Sequence, residues 1–456
     1  VVEDKMLSTV VFLSLFTSQA IQPEEFDSCI CEPSPLVSCD WPGAEIVSRD
    51  SAGVQSPSQH ALNASISADG RWVVFRSHSG HYVGDPDTFY DQIYLKNLET
   101  GVIQLVSRAI GGGPADNQSF DPIVSQDGRR VAFVSFANDM TIETYAESTH
   151  RRQVYVFDRI DNTVEIISVS AMGELANHQS DYDLAFSPDG NRLAFASKAS
   201  NLHPDDTDGY SNIFMFDFVS RELSLVEPAT ITNLPEDNSL QAAIHPSFSG
   251  VGNQLTYIQQ LRKGLPGSSP VVVHDLDTDI AEIISTNSAG EFHDGGGNDQ
   301  PVFSADGGSV AFMSQATNLV SGEQGIDRQW RAYVKDLRTG EVTLASRNLV
   351  GERIDNMTRA VSISSTGRYV AFVTDGNQAL DAPRSRGYQV FLFDRQSGTS
   401  RLASQAYDGD RVRGHSDILS QAFSLRGQLV FESREPYVSS DDLNGTRGDI
   451  FLTGCS

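Results

Sequence analysis

Two short acidic loops hold the side chains best placed to do chemistry. "DDTDG" sets Asp205, Asp206 and Asp208 before Gly209, and "DDLNG" sets Asp441, Asp442 and Asn444 before Gly445. Oxygens alternating along a loop that turns at glycine can surround a hard cation, as in the first half of a calcium loop. A shorter relative, "GDPDT", carries Asp85 and Asp87. Neither full copy has the later glutamate that completes an EF-hand; Asp449 follows Gly445 by four residues, while Asn212 takes the nearer equivalent place after Gly209. The favoured reading is solvated turns rich in Asp and Gly, and the alternative is a structural Ca2+ site at these loops.

The other chemistry-bearing residues are dispersed. Of ten histidines, His203, His274 and His293 are expected on the surface or in turns. His60, His178, His293 and His415 stand in segments leading into a repeat unit, so a cluster at one mouth of a ring is open to them. There is no Gly-x-Ser-x-Gly elbow, His-Glu-x-x-His pair, zinc-spaced Cys and His set or phosphate-cradling glycine loop. "GGGPAD" from Gly111 opens no helix and reads as a flexible link. Asn63, Asn117, Asn356 and Asn444 head N-glycosylation sequons, although turn chemistry ahead of the units explains the pattern better.

Sixty acidic against thirty-three basic residues give a net charge of −27, scattered along the chain. That field repels phosphate backbones and sets nucleic acid aside as a partner. Near the start, Lys5 and Met6 precede the apolar run Leu7 to Phe16, and Ser18 and Ala20 supply the small residues of a cleavage site. The run is too short to span a bilayer, which needs about twenty residues. Residues 1–20 therefore read as an export leader, with a buried strand as the alternative, and the protein as secreted or periplasmic. Residues 21–43 form a cysteine-containing segment.

What must position these groups is a repeat. The glycine of "S-x-D-G-x-x-hydrophobic-A-F" recurs at Gly70, Gly128, Gly190, Gly252, Gly307, Gly367 and Gly427, at spacings of 55 to 62 residues. Asp-Gly is a hairpin signal, because glycine accepts positive φ and the carboxylate caps the turn. Each glycine precedes an apolar strand such as "RRVAFVS" or "NRLAFAS"; a polar loop, a second family ("QIYLKN", "QVYVFD"), a short turn and a third family ("VIQLVSR", "VEIISVS") follow. With the short strand before the turn, each unit has four antiparallel strands, the content of one propeller blade. The fold class is thus all-β, a seven-bladed β-propeller over residues 44–456.

The last unit lacks its outer strand. "AEIVSRD", Ala44 to Asp50, matches "IQLVSRA", so the N-terminal strand is expected to close the last blade and remove its open edge. Aligning Ile46 with Leu105 sets Cys39 level with Leu98, and aligning Phe451 with Leu95 sets Cys455 level with Glu99. A Cys39 to Cys455 disulfide across that closure is expected, the alternatives being a bond from Cys455 to Cys29 or Cys31, or a free thiol.

These motifs, clearest in "SPDGNRLAFAS", "SQDGRRVAFVS" and "SADGGSVAFMS" and followed by loops such as "SQATNLVSGEQG", resemble the TolB-like, WD-repeat-like β-propellers of secreted and periplasmic bacterial proteins. The resemblance covers about residues 44 to 455. It implies a propeller and leaves function open, since such propellers serve as binding platforms, assembly subunits and enzyme accessories. The leading expectation is a secreted, non-catalytic propeller that binds a protein or glycan across one face. The alternatives are a lyase or glycosidase acting on polysaccharide at the central channel, and a structural subunit of an extracellular assembly.

Overall fold

The computed structural model describes residues 44–454 except 58–59, 143–150, 228–229, 233, 235–239, 251–252, 262–268, 323–327, 376–386, 406–413, 435–437 and 445. Seven antiparallel sheets follow one another in the order the repeats dictate. Blade 1 runs, from channel to rim, Ala61–Ile66, Trp72–Ser77, Gln92–Asn97 and Ile103–Leu105. The innermost strands of blades 2 to 7 are Ser119–Val124, Ser180–Phe186, Leu240–Phe248, Asn298–Phe303, Thr358–Ile363 and Ser416–Asp417. Blade 4 departs from the expected four strands, because Thr230–Thr232 adds a fifth, parallel to its outer strand Ile280–Ile283.

The turn motif explains itself locally. Ser67 Oγ donates to Asp69 Oδ1 at 2.6 Å, the same carboxylate accepts from Arg71 N at 3.0 Å, and Gly70 sits at φ 70°. Ser125–Asp127, Ser187–Asp189 and Ser304–Asp306 repeat the first contact. The "ATNLV" loops are also fold devices: Asn318 Nδ2 donates to Phe292 O at 2.8 Å and Thr317 N to Asp294 Oδ1 at 2.8 Å, tying the loop to the segment that leads into the same blade. "GGGPAD" is no loose link, since a bridge between Arg108 and Pro114 closes it and the same bridge recurs at Arg49–Gln55, Val169–Leu175, Thr286–Phe292 and Arg347–Arg353.

Cores lie between neighbouring blades. Val74, Ile93 and Leu95 of blade 1 pack with Val131, Phe133 and Tyr155 of blade 2, all essentially buried. Six blades carry a stacked aromatic pair across their two middle strands, from Phe75–Tyr94 at 5.9 Å to Phe431–Phe451 at 5.6 Å. Such pairs add roughly 0.5–1.5 kcal/mol each beyond their buried area.

Closure takes the expected form. Glu45–Ile46 pairs with Asp449–Thr453 as the outer strand of blade 7. Phe451 faces Phe431 as Tyr94 faces Phe75, so Phe451 corresponds to Tyr94 and the sequence alignment with Leu95 was one residue out. A one-residue slip would turn every side chain to the wrong face of the sheet. Cys29, Cys31, Cys39 and Cys455 lie outside the described residues, as does the leader. No helix among the described residues is long and apolar enough to cross a membrane.

Candidate binding site at the channel mouth

The innermost strands of blades 1, 2, 4 and 5 break register seven residues before the turn glycine. The ladder slips between Leu62 and Ser65, Phe120 and Ile123, Ile244 and Ser247, and Asp299 and Val302. At each slip one residue takes positive φ: Asn63 at 51°, Asp121 at 41°, His245 at 57° and Gln300 at 45°. Positive φ is uncommon outside glycine, and bulges of this kind re-aim side chains. Four such residues at equivalent places in four blades make a ring around the channel.

The ring residues hold one another. Asn63 Nδ2 donates to Asp121 Oδ1 at 2.9 Å, and Asn63 N donates to Glu432 Oε2 of blade 7 at 2.7 Å. Arg76 Nε donates to Asn63 Oδ1 at 2.9 Å, while its Nη1 lies 3.4 Å from Asp91 and its guanidinium 5.5 Å from the Phe120 ring. Across the channel, His245 is clamped by two carboxylates, Nδ1 to Asp183 at 2.7 Å and Nε2 to Asp299 at 2.9 Å.

Electrostatics follow from this packing. Burial alone would lower the pKa of His245, but Asp183 and Asp299 raise it to about 10, so the imidazolium persists at neutral pH. Burial pushes Asp121 up to about 6 and Glu432 up to about 7, and it raises Asp417 as well. A cavity of about 420 Å³ between blades 5, 6, 7 and 1 is lined by Asn63, Arg76, Arg359, Asp417, Glu432 and Arg434. A second, of about 190 Å³, is lined by Asp121, Asp183 and His245 and shares Gln300, Ile418 and Leu419 with the first. The mouth is thus one polar cleft, with Arg76, Arg359 and Arg434 beside the carboxyls of Asp417 and Glu432 towards blades 6, 7 and 1, and Asp121 and Asp183 with His245 towards blades 2 to 4.

The residues singled out in the sequence lie mostly elsewhere. In blade 3, Asp206 is buried with Oδ1 accepting from Asn212 at 3.1 Å, its pKa raised by burial and by Asp208, while Asp205 is exposed. In blade 7 the acidic loop serves the ring closure: Asp442 and Asp449 both accept from Gln55 Nε2, at 3.1 and 2.8 Å, Ser48 Oγ donates to Asp449 at 2.6 Å, and Asn444 Nδ2 donates to Ser56 O at 3.0 Å. Asp441 lies 3.7 Å from Arg49. In blade 1, Asp87 caps Gly80 N at 3.1 Å. Among the described residues no three His, Cys, Asp or Glu side chains are grouped to hold a metal ion.

Two histidines correct the expectation of surface positions. His274 is 1% exposed and pairs with Asp279 at 3.0 Å, and His293 is 2% exposed among Ser285 and Asn298. His178 is exposed and apart. His60 and His415 do come to the Arg434 side of the mouth: Arg434 N donates to His415 O at 2.8 Å, and burial and the Arg434 and Arg447 charges lower the pKa of His60. Of the sequons, Asn63 is a ring residue whose amide is engaged on both sides, and the Asn444 amide belongs to the closure, so neither presents a free amide for a glycan. Asn117 and Asn356 are half-buried in segments leading into blades 2 and 6.

The ring was legible in one respect. The residue seven before each turn glycine reads Asn63, Asp121, Asp183, His245, Gln300, Ala360 and Ser420, and proline follows three of them.

No protein-family model matches the sequence, and no curated protein is similar to it. Solved structures are. TolB from Acinetobacter baumannii is 15% identical with a TM-score of 0.40, the match covering 75% of this chain and 62% of that one, less than two thirds of its length. A putative TolB from Agrobacterium tumefaciens is 19% identical with a TM-score of 0.41, over 68% of this chain and 87% of that one. An oligogalacturonate lyase in complex with manganese is 13% identical with a TM-score of 0.52, over 92% of this chain and 94% of that one. At these identities the likeness is one of fold alone, and the fold is the seven-bladed β-propeller that the seven sheets of this chain form.

Proposed function

We propose that the chain is a non-catalytic, exported propeller that binds a protein or glycan by seating a polar tip of it in the channel mouth. One observation carries this reading. Arg76 and Glu432 stand opposite Ile93 and Ile450 in their sheets, and the five equivalent positions are Val134, Ala196, Ile258, Met313 and Val373, all buried and apolar. The frame accepts an apolar residue there in five blades. Arg76 and Glu432 are instead half-buried and both line the mouth cavity, Arg76 held by Asp91 and Asn63 and Glu432 by the Asn63 N–H, so two charged groups where the frame needs none support a role in recognition.

The test restores the frame. In the Arg76→Val/Glu432→Val double variant the fold is expected to persist while capture of the native protein or glycan partner is lost, as read by affinity capture against a glycan array and the extracellular protein fraction. Full retention of the partner by this variant overturns the reading. Export is supported by the N-terminal apolar run, and mass spectrometry of the mature protein checks it together with the Cys39 to Cys455 bond.

A second reading, an enzyme acting on polysaccharide, draws on Glu432 and Asp417 lining the same cavity, a pair of carboxyls of the kind used in acid–base chemistry. It predicts turnover that Glu432→Gln abolishes. Absence of product across acidic and neutral polysaccharides removes it.

A further inference from the structure

We propose that the part of the mouth between blades 5, 6, 7 and 1 is a carboxylate-binding site, in which an acidic group of a small ligand or of the partner's tip sits against the guanidinium groups of Arg76, Arg359 and Arg434. This rests on the reading of the mouth as the binding site and names the chemistry it takes.

Three arginines line one cavity of about 420 Å³ in a chain whose net charge is −27. They are held in different ways. Arg76 is fixed by Asn63, Asp91 and the Phe120 ring at the cavity wall. The Arg359 guanidinium lies 4.3 Å from the Tyr388 ring, and Tyr388 in turn packs on His415 with ring centres 5.7 Å apart. Neither Arg359 nor Arg434 has a carboxylate within ion-pair distance among the described residues, whereas Arg49, Arg71, Arg129, Arg221, Arg338 and Arg353 each do. A guanidinium offers a planar fork of donors that fits a carboxylate, and stacking on an aromatic ring fixes its plane without using that fork.

The two carboxyls in the same cavity leave room for an incoming anion. Burial raises the pKa of both Glu432 and Asp417, and the backbone N–H of Asn63 already occupies Glu432 Oε2. At the other end of the cleft, Asp121, Asp183 and Asp299 outnumber the single imidazolium of His245, so that end disfavours an anion. The ligand is therefore oriented, carboxylate towards blades 6, 7 and 1. Among the described residues Phe431 is the one aromatic in the cavity wall, so charge rather than ring stacking supplies the recognition.

Calorimetric titration of the full chain with N-acetylglycine and with glucuronate, each beside its neutral counterpart N-acetylglycinamide or glucose, tests this. At least one acid is expected to bind at least about tenfold more tightly than its neutral partner, and which acid does so separates a peptide-like from a sugar-acid source. Arg359→Gln and Arg434→Gln, both at exposed positions, are each expected to weaken it about tenfold, whereas Arg338→Gln, away from the mouth, leaves it unchanged. Equal affinity for acids and neutral counterparts, no binding of either acid, or equal loss in Arg338→Gln overturns the proposal. If Arg76→Val/Glu432→Val loses the native partner while no acid binds, the carboxylate chemistry alone fails; if that variant keeps its partner, the site itself fails.

Discussion

The two ends of the channel are built from the same seven strands and differ in what they repeat. At the end where the Asp-Gly turns lie, the innermost strands finish in Ile66, Val124, Phe186, Phe248, Phe303 and Ile363, joined by Phe423, around a cavity of only about 100 Å³. At the other, the residue seven before each turn glycine varies among the blades and is mostly polar, and the two adjoining cavities measure about 420 and 190 Å³. The copies agree where the ring has to be plugged and disagree where it opens. Agreement is what a close-packed closure requires, since it tolerates little change in volume; disagreement is what a surface shaped for one ligand requires.

The contrast is broken most severely from the apolar end. Phe303→Ala is expected to lose about 3–4 kcal/mol in denaturant unfolding, because the six other apolar residues cannot fill the space, while binding at the mouth is unchanged under conditions where the variant stays folded.

Next in size is His245→Ala, which leaves Asp183 and Asp299 without their shared cation and is expected to cost on the order of 2 kcal/mol at pH 7. Because the pKa of His245 is raised to about 10 in the folded chain, that contribution is full below about pH 6.5 and disappears as pH rises towards 10. Unfolding of wild type and variant at pH 7 and pH 10 reads the convergence.

Glu432→Gln is expected to act in the opposite direction. Its folded pKa of about 7 lies above the ordinary 4.5, so the native glutamate favours the fold in acid and loses that contribution as pH rises from about 4.5 through 7. The amide keeps the acceptor for Asn63 N and removes the buried charge, so the variant gains on the order of 1–2 kcal/mol at pH 8 and nothing at pH 4. A variant no more stable than wild type at pH 8 shows that the charge costs the frame nothing.

The smallest effect is expected from calcium. The blade 7 carboxylates are engaged in closing the ring, so millimolar Ca2+ or a chelator should move the melting temperature by less than about 1 °C. A larger rise with Ca2+ restores the acidic loops as a cation site.

The frame was legible because its turns announce themselves. Ser-x-Asp-Gly at seven places fixes both the blade count and the strand that follows each turn, and "AEIVSRD" shows where the missing strand is. The site was not, because its residues share a position and no type. Asn63, Asp121, His245 and Gln300 are unlike one another, and only the bulge that gives each positive φ brings them to the channel. The acidic loops drew notice for the opposite reason, being conspicuous in composition while Asp442 and Asp449 are occupied by Gln55 and Ser48 from the other end of the chain, contacts of long sequence separation that no local pattern announces. The fifth strand of blade 4, Thr230–Thr232, falls outside the repeat and leaves no periodic trace.

The most direct test of the account is a crystal structure of the chain with its captured partner or ligand bound. The account predicts density in the cleft bounded by Asn63, Arg76, Arg359 and Glu432, with the apolar end of the channel unchanged. A ligand seated on the outer strands of the blades, with that cleft filled only by water, would contradict it.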